Sequence, residues 1–252
     1  MSFQRRATLR LDARERGAVA RAAALIRSGG LVAFPTETVY GVGADGFAPR
    51  AVAEIFRIKG RPADKPIILH LAGPEMLEGV ARDIPPVAQA LMEAFWPGPL
   101  TLVLWRAPGV PDAVTGGGDT VAVRCPAHPV ALELIGAVGR AVAATSANRS
   151  GRPSPLRAEE ALEELGGEID AVLDGGPAGS GVESTIVDLT VRPAASLRPG
   201  GVAAESLRAY LPDLVVRAAE AAGSPGGRLV VVEGEPEAVA AEIARRAREL
   251  VG

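Results

Sequence analysis

A chain of 252 residues that is 48% hydrophobic but only 4% aromatic must build its interior from Val, Leu, Ile and Ala, the usual material of sheets covered by helices. Its formal net charge of −3 argues against a broad nucleic-acid footprint, while leaving room for a local cationic pocket. The single cysteine, Cys125, and two histidines, His70 and His128, exclude an internal disulfide, a cysteine metal cluster and a histidine-based metal site.

The start, SFQRRATLRLDARERG, is charged and has no apolar signal region, and no apolar run approaches the roughly 18 residues of a membrane span, so a cytoplasmic protein is expected. Helical spacing over 13–28 ends at Gly29-Gly30, a helix stop, and Leu31 to Phe34 reads as a short buried strand. PTETVYGVG then reads as a hydroxyl-rich turn leading into glycines. Pro49 to Ile58 is predicted helical, with Val52, Ile55 and Phe56 on one face. In the loop that follows, Lys59, Arg61 and Lys65 lie close together with Asp64 as the only acid among them. A polyanion is the natural partner of such a loop. It feeds the apolar strand ending in His70 and Leu71, and so sits at a sheet end, where open α/β folds place their ligand sites.

Pro86 to Phe95 is predicted helical, WPGP a turn, and Leu100 to Trp105 and Thr120 to Arg124 are strands on either side of the Gly116-Gly117-Gly118 loop. Pro129 to Val138 and Ala158 to Leu165 read as helices. Ala141 to Thr145, Ala171 to Leu173, Ser184 to Leu189 and Ala195 to Arg198 read as strands, and a helix is expected near Glu205 to Tyr210. The pattern predicts an α/β fold with a mixed sheet and flanking helices. EAAGSPGG at 220–227 has linker composition. The expected organisation is a main domain at 1–208, a linker at 209–227 and a short β-α extension at 228–252, with a strand at 228–233 and a helix at 236–250.

Two glycine patterns fail on context. GVGADG at 41–46 matches G-x-G-x-x-G, but PTETVY separates it from the preceding strand and Phe47-Ala48-Pro49 from the following helix. GPAGSGVES at 176–184 has P-loop spacing up to its second glycine, yet Val182-Glu183 stands where Lys-Ser/Thr must be. Ser146 lacks the flanking glycines of a nucleophile elbow. Ser146 and Asn148 also read as strand-ending residues bonded to their own backbone, and His70 as a satisfied strand-end histidine.

Seven stretches in order carry a resemblance: PTETVYGVG (35–43), IKGRPADKPIILH (58–70), FWPGPLTLVL (95–104), VAVRCP (121–126), TSANRSGRPSP (145–155), GVESTIVDL (181–189) and RPGG (198–201). Together they resemble the YrdC-like threonylcarbamoyl-AMP synthase family. The resemblance implies a twisted mixed α/β sheet with a deep cationic cleft. It also implies the conversion of ATP, L-threonine and bicarbonate to threonylcarbamoyl-AMP and pyrophosphate, for tRNA t6A modification.

By the same resemblance Lys59, Arg61, Lys65, Thr120, Ser146, Asn148, Ser154 and Arg198 belong to the ATP side. Thr38, His70, Arg124, Ala144 and Ser184 belong to the threonine side, where the Arg124 fork suits a carboxylate. Magnesium is expected on the ATP phosphates, with no ligand identified, and tRNA threonylcarbamoyl-transfer proteins are expected downstream. Longer members carry a basic, tyrosine-containing segment after an SPG-like linker. Here Ser224-Pro225-Gly226-Gly227 runs directly into Arg228 with no such tyrosine, so the tail is expected to be an abbreviated version. Two other functions fit the same fold: an RNA-binding or maturation factor, against which the acidic balance and absent stacking platform argue, and an enzyme acting on another carbamoyl or acyl substrate.

Overall fold

The computed structural model describes residues 7–217. The chain divides into two compact units, Met1–Ala218 and Ala219–Gly252. The second, with the expected strand at 228–233 and helix at 236–250, lies outside the described residues.

Local signals set the helices. The first, α1 (Ala18–Arg27), ends on Arg27, a cation at the carbonyl end of the helix. Helix α2 (Pro49–Lys59) opens on a proline, whose missing N–H costs nothing there, and stops at Gly60 with a left-handed φ of 60°. Helix α3 (Pro86–Phe95) also starts on a proline, and α4 (Asp112–Thr115) is a single turn. At α5 (Pro129–Val138), His128 caps the helix by accepting the Val130 N–H on Nδ1 at 3.2 Å. Helices α6 (Ala158–Leu165) and α7 (Ala204–Arg208) complete the set, and no described helix is long and apolar enough to cross a membrane.

The strands are β1 (Leu9–Asp12), β2 (Val32–Pro35), β3 (Tyr40–Asp45), β4 (Ile68–His70), β5 (Ala81–Arg82), β6 (Leu100–Arg106), β7 (Thr120–Arg124), β8 (Val142–Ser146), β9 (Ala171–Asp174), β10 (Thr185–Asp188), β11 (Ala195–Arg198) and β12 (Val215–Val216). They form one mixed sheet in the order β1-β9-β2-β3-β8-β4-β7-β6-β10-β11-β12, with β5 paired to β6. The α/β class and most elements agree with the sequence reading.

Four strands do not follow from it: β1, β3, β12 and the two-residue β5, which pairs antiparallel with β6. Strand β1 hides in the charged start and pairs in parallel with β9 at the sheet edge, where only Leu11 is buried. Strand β3 runs through the glycines, and packing explains them: a Cβ on Gly43 would lie 2.7 Å from Val142 Cγ1 and 2.8 Å from Phe34 Cε1. Strand β12 lies past Arg208, the expected end of the main domain, and pairs in parallel with β11. Residues 209–216 therefore belong to the main unit, not to a linker.

Alternation along the strands sorts the interior into two apolar clusters, one on each face. Leu31, Ala33, Leu69, Ala143 and Val172 point to one side, with Val52 and Ile55 of α2, Leu91 of α3 and Ala161 of α6. Val32, Phe34, Val142, Ala144 and Leu173 point to the other, with Val19 and Ile26 of α1 and Leu134 and Ile135 of α5. Each such large apolar side chain, fully buried, contributes about 1.5–3 kcal/mol. The second cluster takes no residue from β4, β7, β6 or β10. Among the described residues, no helix packs an apolar cluster onto that half of the sheet face.

Candidate active site

The uncovered half-face is where the polar residues gather. Strands β4, β7, β6 and β10 give Leu69, Val121, Val123, Leu102 and Val187 to the first cluster. Their alternate positions, including Ile68, His70, Thr120, Ala122, Arg124, Val103 and Ile186, line two cavities on the opposite side. Pairing of β4 with β7 sets His70 beside Arg124, and β8 sets Ala144 beside Ile68.

The smaller cavity, about 60 Å³, is lined by all five residues expected on the threonine side: Thr38, His70, Arg124, Ala144 and Ser184. Arg124 is buried, and its guanidinium is held from several directions. Nε donates to the Gly98 carbonyl at 3.2 Å, while Nη1 and Nη2 reach Thr38 Oγ1 at 3.3 and 3.2 Å. Thr38 is in turn placed by the turn that leads into β3: Thr36 Oγ1 donates to the Val39 carbonyl at 2.7 Å and lies 2.8 Å from Thr38 Oγ1. Across the cavity Ser184 Oγ meets Thr101 Oγ1 at 2.8 Å and accepts from Arg198 Nη2 at 3.0 Å.

Burial, and then the charge of Arg124, pull the His70 pKa down to about 3, so its imidazole is neutral at neutral pH. Nδ1 faces the Ile68 carbonyl at 3.3 Å. A carbonyl only accepts, so the proton sits on Nδ1 and Nε2 is left as an acceptor. The linkage has a definite sign. The unfolded chain protonates His70 near 6.5 and the folded chain resists to about 3, so the stability is complete above pH 6.5 and is lost as the pH falls towards 3. At pH 5 the loss is about 2 kcal/mol, or roughly 4–8 °C of melting temperature for a domain of this size. Thermal melts at pH 7 and 5 should show that drop in the wild type and a smaller one in His70→Asn; equal drops in both would refute the assignment.

The wider cavity, about 370 Å³, shares Ile68, Ala144, Thr145, Ser146, Glu183 and Arg198 with the smaller one and adds Arg61 and Thr120. Arg198 donates from Nε to the Ser184 carbonyl at 3.0 Å and pairs with Glu183. Burial lowers the pKa values of both Arg61 and Arg198, Glu183 opposes the shift in each, and Arg198 lowers Arg61 and Arg124 lowers Arg198 further, but a guanidinium keeps its charge in proteins. The result is a cleft wall with two partly desolvated cations.

The other expected nucleotide residues stand off this wall. Lys59 is buried, and its ammonium donates to the carbonyls of Ser146 and Asn148, approaching Asn148 Oδ1 at 3.5 Å. Burial and the nearby Arg61 pull its pKa down to about 8. Asn148 is buried as well, its Nδ2 donating to the Arg149 and Arg152 carbonyls at 3.0 and 2.5 Å. Lys59 and Asn148 thus hold the backbone turn that presents Ser146. Ser154 is half-buried, with Oγ 3.5 Å from Glu183 Oε1, and Lys65 is exposed on its loop.

Sequence reasoning missed Glu37, Thr101 and Glu183. Glu37 and Glu183 lie inside two of the seven motif stretches, each an acid in a stretch without Lys or Arg, and that was the available signal. Thr101 carried none. Cys125 is buried, which pushes its thiol up to about 11 and keeps it from acting as a nucleophile near neutral pH. Among the described residues no three His, Cys, Asp or Glu side chains cluster to hold a metal ion. Of the carboxylates on the cleft wall, Glu183 pairs with Arg198, and Asp188 accepts from the Thr190 N–H and hydroxyl at 2.8 and 2.6 Å.

Fold and cleft together define an α/β protein with a cleft bearing buried cations on one half of a mixed sheet. The chain belongs to the Sua5/yciO/yrdC family, whose model, described as telomere recombination, matches residues 24–200. It is 46% identical over 245 residues to a threonylcarbamoyl-AMP synthase of Pyrococcus abyssi, covering 91% of this chain and 71% of that protein. It is also 48% identical over 197 residues to the Bacillus subtilis threonylcarbamoyl-AMP synthase, covering 77% of this chain but only 56% of that one. The crystal structure of P. abyssi Sua5 complexed with L-threonine matches with a TM-score of 0.81 at 43% identity, covering 97% of this chain and 78% of that one.

Proposed function

We propose that this chain is an L-threonylcarbamoyladenylate synthase: ATP, L-threonine and bicarbonate become threonylcarbamoyl-AMP, pyrophosphate and water. The observation that carries the reading is the shared wall of the two cavities. A small end with a buried, oriented guanidinium and a neutral imidazole suits an amino acid, and the wider cationic end suits a nucleotide. The names of the relatives at 46% and 48% identity support it.

On this reading Arg124 takes the threonine carboxylate, and His70 Nε2 accepts from its hydroxyl or amine. The threonine amine adds to bicarbonate with loss of water, and a carbamate oxygen then attacks the α-phosphate as pyrophosphate leaves. Two anions must approach each other, so fixed cations do most of the work: Arg61 and Arg198 screen the approach and the developing pyrophosphate charge. Lys65 reaches the triphosphate from the exposed loop. Magnesium enters as a partner of ATP, held by the phosphates. The reactive adenylate is handed to tRNA threonylcarbamoyl-transfer proteins. No covalent nucleophile is required.

With ATP, magnesium and bicarbonate, purified protein is expected to release pyrophosphate only when L-threonine is added, read with a coupled pyrophosphatase assay. Equal release without any amino acid would sink the proposal.

A further inference from the structure

Glu37 lies in the turn between β2 and β3, next to Thr38. One of its carboxylate oxygens stands 2.6 Å from Arg124 Nη2, with both side chains largely buried. The approach is off the hydrogen-bonding axis, and neither oxygen finds another donor among the described residues. Among the described residues Arg124 is its one ion-pair partner. Glu37 does not line the small cavity itself; its carboxylate meets the guanidinium that does. The other cation of that cavity, Arg198, is likewise paired, with Glu183. His70, the remaining titratable lining group, is neutral.

We infer that Glu37 sets the charge of the amino-acid end of the cleft, cancelling Arg124 so that this cavity prefers a net-neutral zwitterion over a simple carboxylate anion. This rests on the function proposed above and adds a specificity-determining residue to it. The electrostatic reason is direct. A carboxylate laid on Arg124 feels attraction from the guanidinium and repulsion from the Glu37 carboxylate paired with it. A zwitterion recovers part of that repulsion, because Glu37 attracts its ammonium, whereas an anion without an amine recovers none. Removing the Glu37 charge should therefore help the anion much more than the zwitterion. At the effective dielectric of partly buried sites, a unit charge several ångströms away is worth about ten- to a hundredfold in affinity.

The test is calorimetric titration of the whole chain with L-threonine and with 2,3-dihydroxybutanoate, the hydroxy acid of the same shape lacking the amine. The wild type should bind threonine at least tenfold more tightly. In Glu37→Gln, which keeps the size and loses the charge, the preference should fall about tenfold or more, mainly through tighter binding of the anion. A preference unchanged within twofold, or both ligands weakened equally in a folded variant, overturns the inference while leaving the proposed function standing. No threonine binding to the wild type overturns both. If Glu37→Gln does not fold, the wild type still decides: equal affinity for the two ligands refutes the inference.

Discussion

Replacing Arg124 by Ala is expected to raise the threonine concentration needed for half-maximal pyrophosphate release by ten- to a hundredfold, with ATP affinity changed no more than a few-fold. A charge-assisted hydrogen bond contributes about 1.5–3 kcal/mol, which is that range in affinity. The asymmetry comes from position: Arg124 lines the small cavity and is absent from the wall of the wider one. The alanine also strips Thr38 Oγ1 and the Gly98 carbonyl of their donors and leaves Glu37 without its counter-charge. Some loss of stability should accompany the kinetic change. Steady-state kinetics varied in each substrate provide the check, and equal weakening of both would show that the two ends of the cleft do not act separately.

The second large effect is expected at Lys59. Its resemblance to a phosphate-binding lysine predicts a loss of ATP binding on substitution, whereas its geometry predicts a loss of stability. Lys59→Ala leaves the carbonyls of Ser146 and Asn148 without their donor in a buried site, a cost of about 3 kcal/mol. For a domain of this size that lowers the melting temperature by roughly 6–12 °C. Lys65→Ala is the contrast, because Lys65 is exposed: its melt should follow the wild type while ATP binding weakens. A Lys59→Ala protein that melts like the wild type but no longer binds ATP would mean that the ammonium leaves its carbonyls for the nucleotide.

Elements with their information in adjacent residues were legible from the sequence. Helices α2, α3 and α5 begin on the prolines that mark them, and α2 stops at the glycine that marks its end. The buried strands β4, β6 and β7 announce themselves as apolar runs between polar loops. The seven ordered motifs pointed to one family, and the five residues they assigned to the threonine side do line one cavity. Which residues matter can be read from the sequence because side-chain chemistry is local.

Tertiary structure decided the rest, wherever a residue's role depends on a partner distant in the chain. Gly43 reads as a turn residue until Phe34 and Val142 are seen to fill the space its side chain would take. Strand β1 reads as a charged tail until β9 supplies its hydrogen bonds. Lys59 reads as a free cation on a loop, yet the end of β8 brings two carbonyls beneath α2 and turns it inward, since a buried ammonium must be solvated by the protein itself. Glu37 carries no local sign that it faces Arg124, because that pairing exists only once β7 and the turn before β3 meet at the open half of the sheet.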